Sequence, residues 1–257
     1  MTQMLASVTS VEEALLALEL GADIIDLKNP HDGALGALPL PTLASIVIAL
    51  DGRRTISATI GDAPDDAARI AQKVVATAAT GVDIVKIGIP TSRLALALGH
   101  PPQLAFWQGK ADLASPRPAT GAGPEPASTR LVAVLFADQA FDLAWIDALA
   151  ERGFYGVMLD TADKHAGGMR SHCDDAQLRN FVRRAHSKHL MCGLAGSLRL
   201  DDIAPLLALS PDYLGFRGAL CRNTSRTDQL DADAFRAVRS RIFELDATSE
   251  PFASGIA

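Results

Sequence analysis

GADIIDLKNP, residues 21–30, runs from a glycine through a short apolar stretch to a carboxylate and an amine two residues apart. The glycine stops a helical pattern that opens at Ser10 and Glu13, an S-x-x-E capping box, and stays apolar-periodic through Leu20. The same succession of helix end, glycine and strand returns in AATGVDIVKIG (78–88) and LAERGFYGVMLD (149–160). A recurring junction of this kind marks a serial helix–strand unit, so the fold turns on how many units the chain holds.

Five further segments read as strands: MLASV (4–8), TISATI (55–60), RLVAVLF (130–136), LMCGLAG (190–196) and YLGFRG (213–218). With the three above they make eight, most of them separated by a helical pattern, and eight such units in 257 residues predict a single (β/α)8 TIM barrel. An open doubly wound sheet is the alternative, but no GxGxxG opens an early helix. Residues 91–129 break the rhythm, above all ADLASPRPATGAGPEPAST (111–129), rich in Pro, Ala and Gly. The expectation is an insertion before strand 5, flexible over about 110–129, with PPQLAFWQ (101–108) as the fourth barrel helix. The barrel domain is expected to span residues 1–246 and the tail 247–257 to fray.

Composition narrows the function classes. A net charge of −6 without a Lys/Arg block argues against a nucleic-acid or anionic-membrane surface. MTQMLASVTS (1–10) lacks the charged and apolar regions of a signal peptide, and no segment reaches the roughly 18 apolar residues of a membrane span, so a cytoplasmic protein is expected. Cys173, Cys192 and Cys221 show no CxxC spacing and read as reduced thiols. No HxH, HExxH or carboxylate triad appears, so neither a metal nor another cofactor is expected. His186 and His189 lie on the charged segment RRAHSKH, most simply a solvated face, and His165 and His172 flank the loop DKHAGGMRSHC.

The chemistry emerges from strand alternation. Side chains along a strand point alternately to its two faces. Asp26 and Lys28 therefore share a face, as do Ser57 and Thr59, and the polar set is expected to point into the barrel. The same rule sends Lys86, Asp160 and Arg217 inward at the C-terminal strand ends, where barrels of this type carry their active sites. Only six lysines occur, and Lys28, Lys86 and Lys164 fall at or just after these ends. A lone strand-end lysine is most often a salt-bridged residue, but two inward lysines beside two inward carboxylates form a cluster too costly to bury unused. A desolvated amine crowded by another cation loses its proton more readily and can attack a carbonyl to form an imine. The imine acidifies the adjacent C–H, which a nearby base can take.

After strands 7 and 8 come GLAGSLR (193–199) and FRGALC (216–221). Loops at these two places in a barrel often bind phosphate, here through Gly193, Gly196, Ser197, Arg199, Arg217 and Gly218, so a phosphorylated substrate is expected.

With these residues in view, the sequence resembles the (5-formylfuran-3-yl)methyl phosphate synthase family, also called 4-(hydroxymethyl)-2-furancarboxaldehyde-phosphate synthase, over nearly its whole length. The matching stretches are SVTSVEEALLALELGADIIDLKNPHDGALGA (7–37), GVDIVKIG (81–88), GVMLDTADKHAG (156–167) and the two loops just named. The resemblance implies a carbon–oxygen lyase of methanofuran biosynthesis that condenses two glyceraldehyde 3-phosphate molecules with loss of one phosphate and two waters. It implies Lys28 as the Schiff-base lysine and Lys86 as the proton acceptor, with Asp26, Asp160 and Lys164 completing the site. The Pro/Ala/Gly-rich stretch departs from what is expected of archaeal members. A homo-oligomer acting on a small phosphorylated molecule is expected. The rival readings are a triose- or pentose-phosphate isomerase working through an enediol, a class I aldolase-like barrel enzyme, and a non-catalytic phosphometabolite-binding sensor.

Overall fold

A computed structural model describes residues 1–61, 67–89 and 129–249. The expected insertion at 110–129, the helix at 101–108 and residues 250–257 of the expected tail lie outside the described residues.

Eight parallel strands close on themselves in sequence order: β1 (Gln3–Val8), β2 (Ile24–Leu27), β3 (Thr55–Thr59), β4 (Ile84–Gly88), β5 (Arg130–Phe136), β6 (Gly156–Asp160), β7 (Met191–Leu194) and β8 (Tyr213–Phe216). β1 pairs with both β2 and β8, which closes the barrel. Around it stand α1 (Val11–Glu19), α2 (Leu40–Leu50), α3 (Ala67–Ala78), α4 (Ala144–Glu151), α5 (Asp175–Ser187), α6 (Leu200–Leu207) and α7 (Ala232–Ser249). The (β/α)8 expectation holds.

The repeated junction has one physical cause. Gly21, Gly81 and Gly153 all adopt positive φ, the left-handed turn that ends a helix, and Gly21 N–H donates to Leu18 O while Ala22 N–H donates to Ala17 O. His189 and Ser210 take the same turn before β7 and β8 without being glycines. Just past it, Asp23, Asp83 and Asp212 each accept the N–H of a neighbouring strand residue, Met4 at 2.8 Å, Ile56 at 2.8 Å and Cys192 at 2.6 Å. Before β2 and β4 one glycine and one aspartate thus fix where the helix stops and in what register the strand joins, and before β8 Ser210 takes the place of the glycine.

Strand alternation divides the core in two. Ile25, Leu27, Ile56, Ala58, Val85, Ile87, Val157 and Leu159 face the helices. Leu5, Ile24, Ile84, Val132, Val134, Met158 and Tyr213 fill the barrel. The inner cluster also takes in Ala34 and Leu35 of the β2–α2 loop, which fold over the top of the barrel beside Phe136. Gly88 permits this, because a Cβ there would stand 2.5 Å from Leu35 Cδ1. Thr59 Oγ1 ties the loop down by donating to Gly36 O at 2.9 Å. The mouth of the barrel is therefore plugged over β3–β5.

Candidate active site

Among the described residues the mouth is open over β6, β7, β8, β1 and β2, with a cavity of about 780 Å³, within the range of small-molecule sites. Ser7, Asp26, Lys28, Met158 and Asp160 form its floor, and Lys164, His31, His165 and the loops after β7 and β8 form its walls.

Two ion-pair groups occupy this region. In the lower one, Lys86 Nζ lies 2.7 Å from Asp26 Oδ1, both side chains sealed from solvent. Ser57 and Ser7 donate to Asp26 at 2.7 and 2.9 Å. Burial pushes the Asp26 carboxyl up, but the Lys86 and Lys28 ammonium groups outweigh it and hold the group below its ordinary range. Burial drives Lys86 down, and Asp26 only partly restores it. Lys86 does not line the open cavity; it borders a small void with Ser57, Ile84 and Tyr213. Lys86 points inward, as strand alternation implies, with Asp26 between it and the cavity.

In the upper group Lys164 Nζ sits 2.5 Å from Asp160 Oδ1 and Lys28 Nζ 3.7 Å from Asp160 Oδ2. Thr161 N–H also donates to Asp160, at 2.8 Å. Burial would raise the Asp160 carboxyl, yet Lys164 and Lys28 hold it far below its ordinary value. Burial lowers Lys164, with Asp160 opposing and Lys28 adding to the fall. Of the three lysines, Lys28 alone has an ammonium group that makes no hydrogen bond among the described residues, and its side chain borders the cavity. The arrangement places a loosely held amine beside a carboxylate fixed in its charged form. That pair can capture a carbonyl and move a proton next to it.

The expected phosphate residues divide. Gly196 and Ser197 both have positive φ, which lifts the β7 loop into the cavity wall, and a Cβ at Gly196 would meet Thr161 Cγ2 at 3.0 Å. The N–H groups of Gly196, Ser197, Gly218 and Ala219 donate to no protein acceptor among the described residues. Arg199 is exposed at the rim. Gly193 lies lower, inside the barrel, where it makes room for Tyr213; a Cβ would come within 2.1 Å of that ring. Arg217 is not available to a ligand. Its five N–H groups are spent on Ser7 O, Glu13 Oε2 and Oε1, Arg226 O and Asp228 O. Periodicity placed Arg217 on the inner face correctly but could not show that Glu13 would claim it. The capping box is accordingly half formed: Ser10 Oγ accepts from Glu13 N–H, while the Glu13 carboxylate turns to Thr9 and Arg217.

Sequence reading missed Ser7, Thr161, His31 and Arg226. Ser7 follows from the same alternation as Asp26; Arg226 lies in a loop without period or motif and had no signal.

Residues 4–239 match the family described as 4-HFC-P synthase. A (5-formylfuran-3-yl)methyl phosphate synthase of Methanopyrus kandleri is 34% identical over 87% of this chain and 91% of its own length. The chain belongs to this synthase family. A Methylorubrum extorquens protein provisionally given the same name is 40% identical over 93% of this chain and 92% of its own. Among solved structures, phosphoribosyl anthranilate isomerase of Thermotoga maritima matches with a TM-score of 0.62 at 13% identity, over 95% of this chain and 100% of that one. 3-Hexulose-6-phosphate synthase of Salmonella typhimurium matches with 0.60 at 13%, over 95% and 100%. These two likenesses establish the barrel and nothing further. Among the described residues no helix is long and apolar enough to cross a membrane, and no group of three or more His, Cys, Asp or Glu is placed to hold a metal.

Proposed function

We propose that this chain condenses two molecules of glyceraldehyde 3-phosphate into (5-formylfuran-3-yl)methyl phosphate, releasing one phosphate and two waters, in methanofuran biosynthesis. The observation that carries the reading is the Lys28 amine at the cavity floor, 3.7 Å from Asp160 and without a hydrogen-bond partner among the described residues. Membership of the synthase family supports the same substrate and product.

The carbon skeleton dictates the steps. Lys28 attacks the aldehyde of the first triose and water leaves, giving an imine at C1. Loss of the C2 proton makes an enamine, whose electron pair expels phosphate from C3. The resulting three-carbon unit becomes the formyl group, ring C5 and ring C4. The second triose supplies ring C3, ring C2 and the phosphorylated methyl group, which requires its carbonyl at C2. Its own carbonyl must therefore first move from C1 to C2, a proton transfer of the kind the Asp160–Lys164 pair is suited to. Carbon–carbon bond formation, ring closure and two dehydrations follow, and hydrolysis of the imine frees Lys28. Asp26 serves as base toward the cavity, with Lys86 behind it balancing its charge and sharing its proton. The amides of Gly196, Ser197, Gly218 and Ala219 hold the phosphate that the product retains.

The test is incubation with glyceraldehyde 3-phosphate and borohydride, followed by peptide mapping, with furan absorbance read in the unreduced reaction. The expected result is a reduced adduct on Lys28, together with a furan product and inorganic phosphate. Isomerised substrate without an adduct would replace this reading with an enediol isomerase.

A further inference from the structure

The reaction proposed above handles two phosphates with different fates, one retained and one expelled, and the amide-lined loops offer one cradle. The second anion needs a cation beside the lysines. Arg217, the residue the sequence favours, is fully consumed by Glu13 and by backbone carbonyls. What Arg217 does instead is shape the loop after β8: its Nε donates to Arg226 O at 2.9 Å and its Nη2 to Asp228 O at 2.8 Å. That loop then presents Arg226 to the cavity, where it shares the lining with Lys28, Asp160 and Lys164.

Arg226 is half-buried, and one nitrogen of its guanidinium donates across the mouth to Gly33 O at 2.9 Å. Its remaining N–H groups find no acceptor among the described residues. It is close enough to the reaction floor for its charge to act on Lys164 and to feel Asp160. A guanidinium with free donors in a partly desolvated wall binds phosphate by paired N–H groups.

We propose that Arg226 is the anchor of the leaving phosphate. Resting on the synthase reading, this assigns it one step: as the enamine pair breaks the C3–O bond, the guanidinium takes up the charge that gathers on the departing phosphate. The bond electrons leave with the phosphate, and the C2 proton has already passed to the base. The Gly33 contact joins the β8 loop to the β2 loop over the same spot, so the anchor is held at both ends.

Two measurements on Arg226→Gln and Arg226→Lys test this. Calorimetric titration with inorganic phosphate is expected to find two equivalents bound by the wild-type chain and one by Arg226→Gln, the remaining site reporting an intact fold. Rapid-quench phosphate release is expected to fall about 100-fold or more in Arg226→Gln, with Arg226→Lys intermediate and borohydride trapping at Lys28 unchanged. Unaltered stoichiometry and release in Arg226→Gln, beside an active wild type, would overturn the assignment alone. A wild type that neither traps nor releases phosphate would remove the synthase reading and this one with it.

Discussion

Over β3–β5 the barrel mouth is closed by Leu35, Phe136 and Gly88, and Lys86 lies beneath that plug against Asp26. Over β6–β2 it is open, and Lys28 and Lys164 meet Asp160 at the edge of a large cavity. Both halves hold lysine beside aspartate, and both carboxyl groups are kept ionised by their lysines against the cost of burial. The difference is access and slack. The lower pair is at hydrogen-bond distance, with Ser57 donating to the same Asp26 oxygen as Lys86 and Ser7 to the other, whereas Lys28 stands back from Asp160 with its side chain bordering the cavity. A buried ion pair enclosed by donors holds its charge pattern and can trade protons with the cavity only through its carboxylate; one left loose at a cavity floor leaves its amine free to attack a carbonyl.

Substitution should separate the halves sharply. Lys28→Ala is expected to lower product formation by about 10⁴-fold, roughly 5.5 kcal/mol of barrier, with a melting temperature close to wild type. Wild-type turnover in this variant would end the imine reading. Lys86→Met leaves Asp26 buried without its partner and should cost about 3–5 kcal/mol in urea denaturation. Adding Asp26→Leu to Lys86→Met should recover most of that stability while activity stays absent. Recovery of activity in the double variant would make the lower pair dispensable to the chemistry.

The two carboxylates also set an acid limit. Both fold with a pKa below the ordinary 3.8. A depressed carboxyl contributes stability that is complete above its unfolded pKa and is lost as pH falls through the folded value. Stability of the wild-type chain should therefore decline progressively below about pH 4. Asp160→Asn should remove part of that slope, about 1.4 kcal/mol for each unit of depression, as read by denaturation across roughly pH 2–6. A slope equal to wild type would mean that Asp160 is no better held in the folded chain than in the unfolded one.

These contrasts mark how far the sequence could be read. Period-two alternation along strands placed Asp26, Lys28, Lys86 and Asp160 on the inner face, because the pleat alone decides it. The three glycine junctions were legible because a left-handed turn needs a residue without a Cβ, though His189 and Ser210 show that the turn recurs without that signal. The plug was not legible. It depends on Leu35 crossing from one loop to meet Gly88 and Phe136, a contact between segments far apart in the chain. The fates of the two arginines were hidden for the same reason: Glu13 reaches Arg217 across 204 positions, and only then does Arg226 inherit the cavity. Gly193 followed a motif that looked right for phosphate and proved to be space for Tyr213.

The plug itself gives the mildest test of the comparison. Thr59 Oγ1 donates to Gly36 O at 2.9 Å, but that carbonyl also accepts Asn29 N–H at 2.8 Å. Thr59→Val therefore removes one of two bonds and strands no buried acceptor, so its cost should be about 1 kcal/mol, a shift of about 2–4 °C in melting temperature. The informative reading is accessibility. Under brief acetylation Lys28 should label more readily than Lys86, which should label hardly at all, and Thr59→Val should raise labelling of Lys86 several-fold while leaving Lys28 unchanged. Ready labelling of Lys86 in the wild-type chain would mean that the plug opens in solution, and the two halves of the mouth would then form one site with three usable amines.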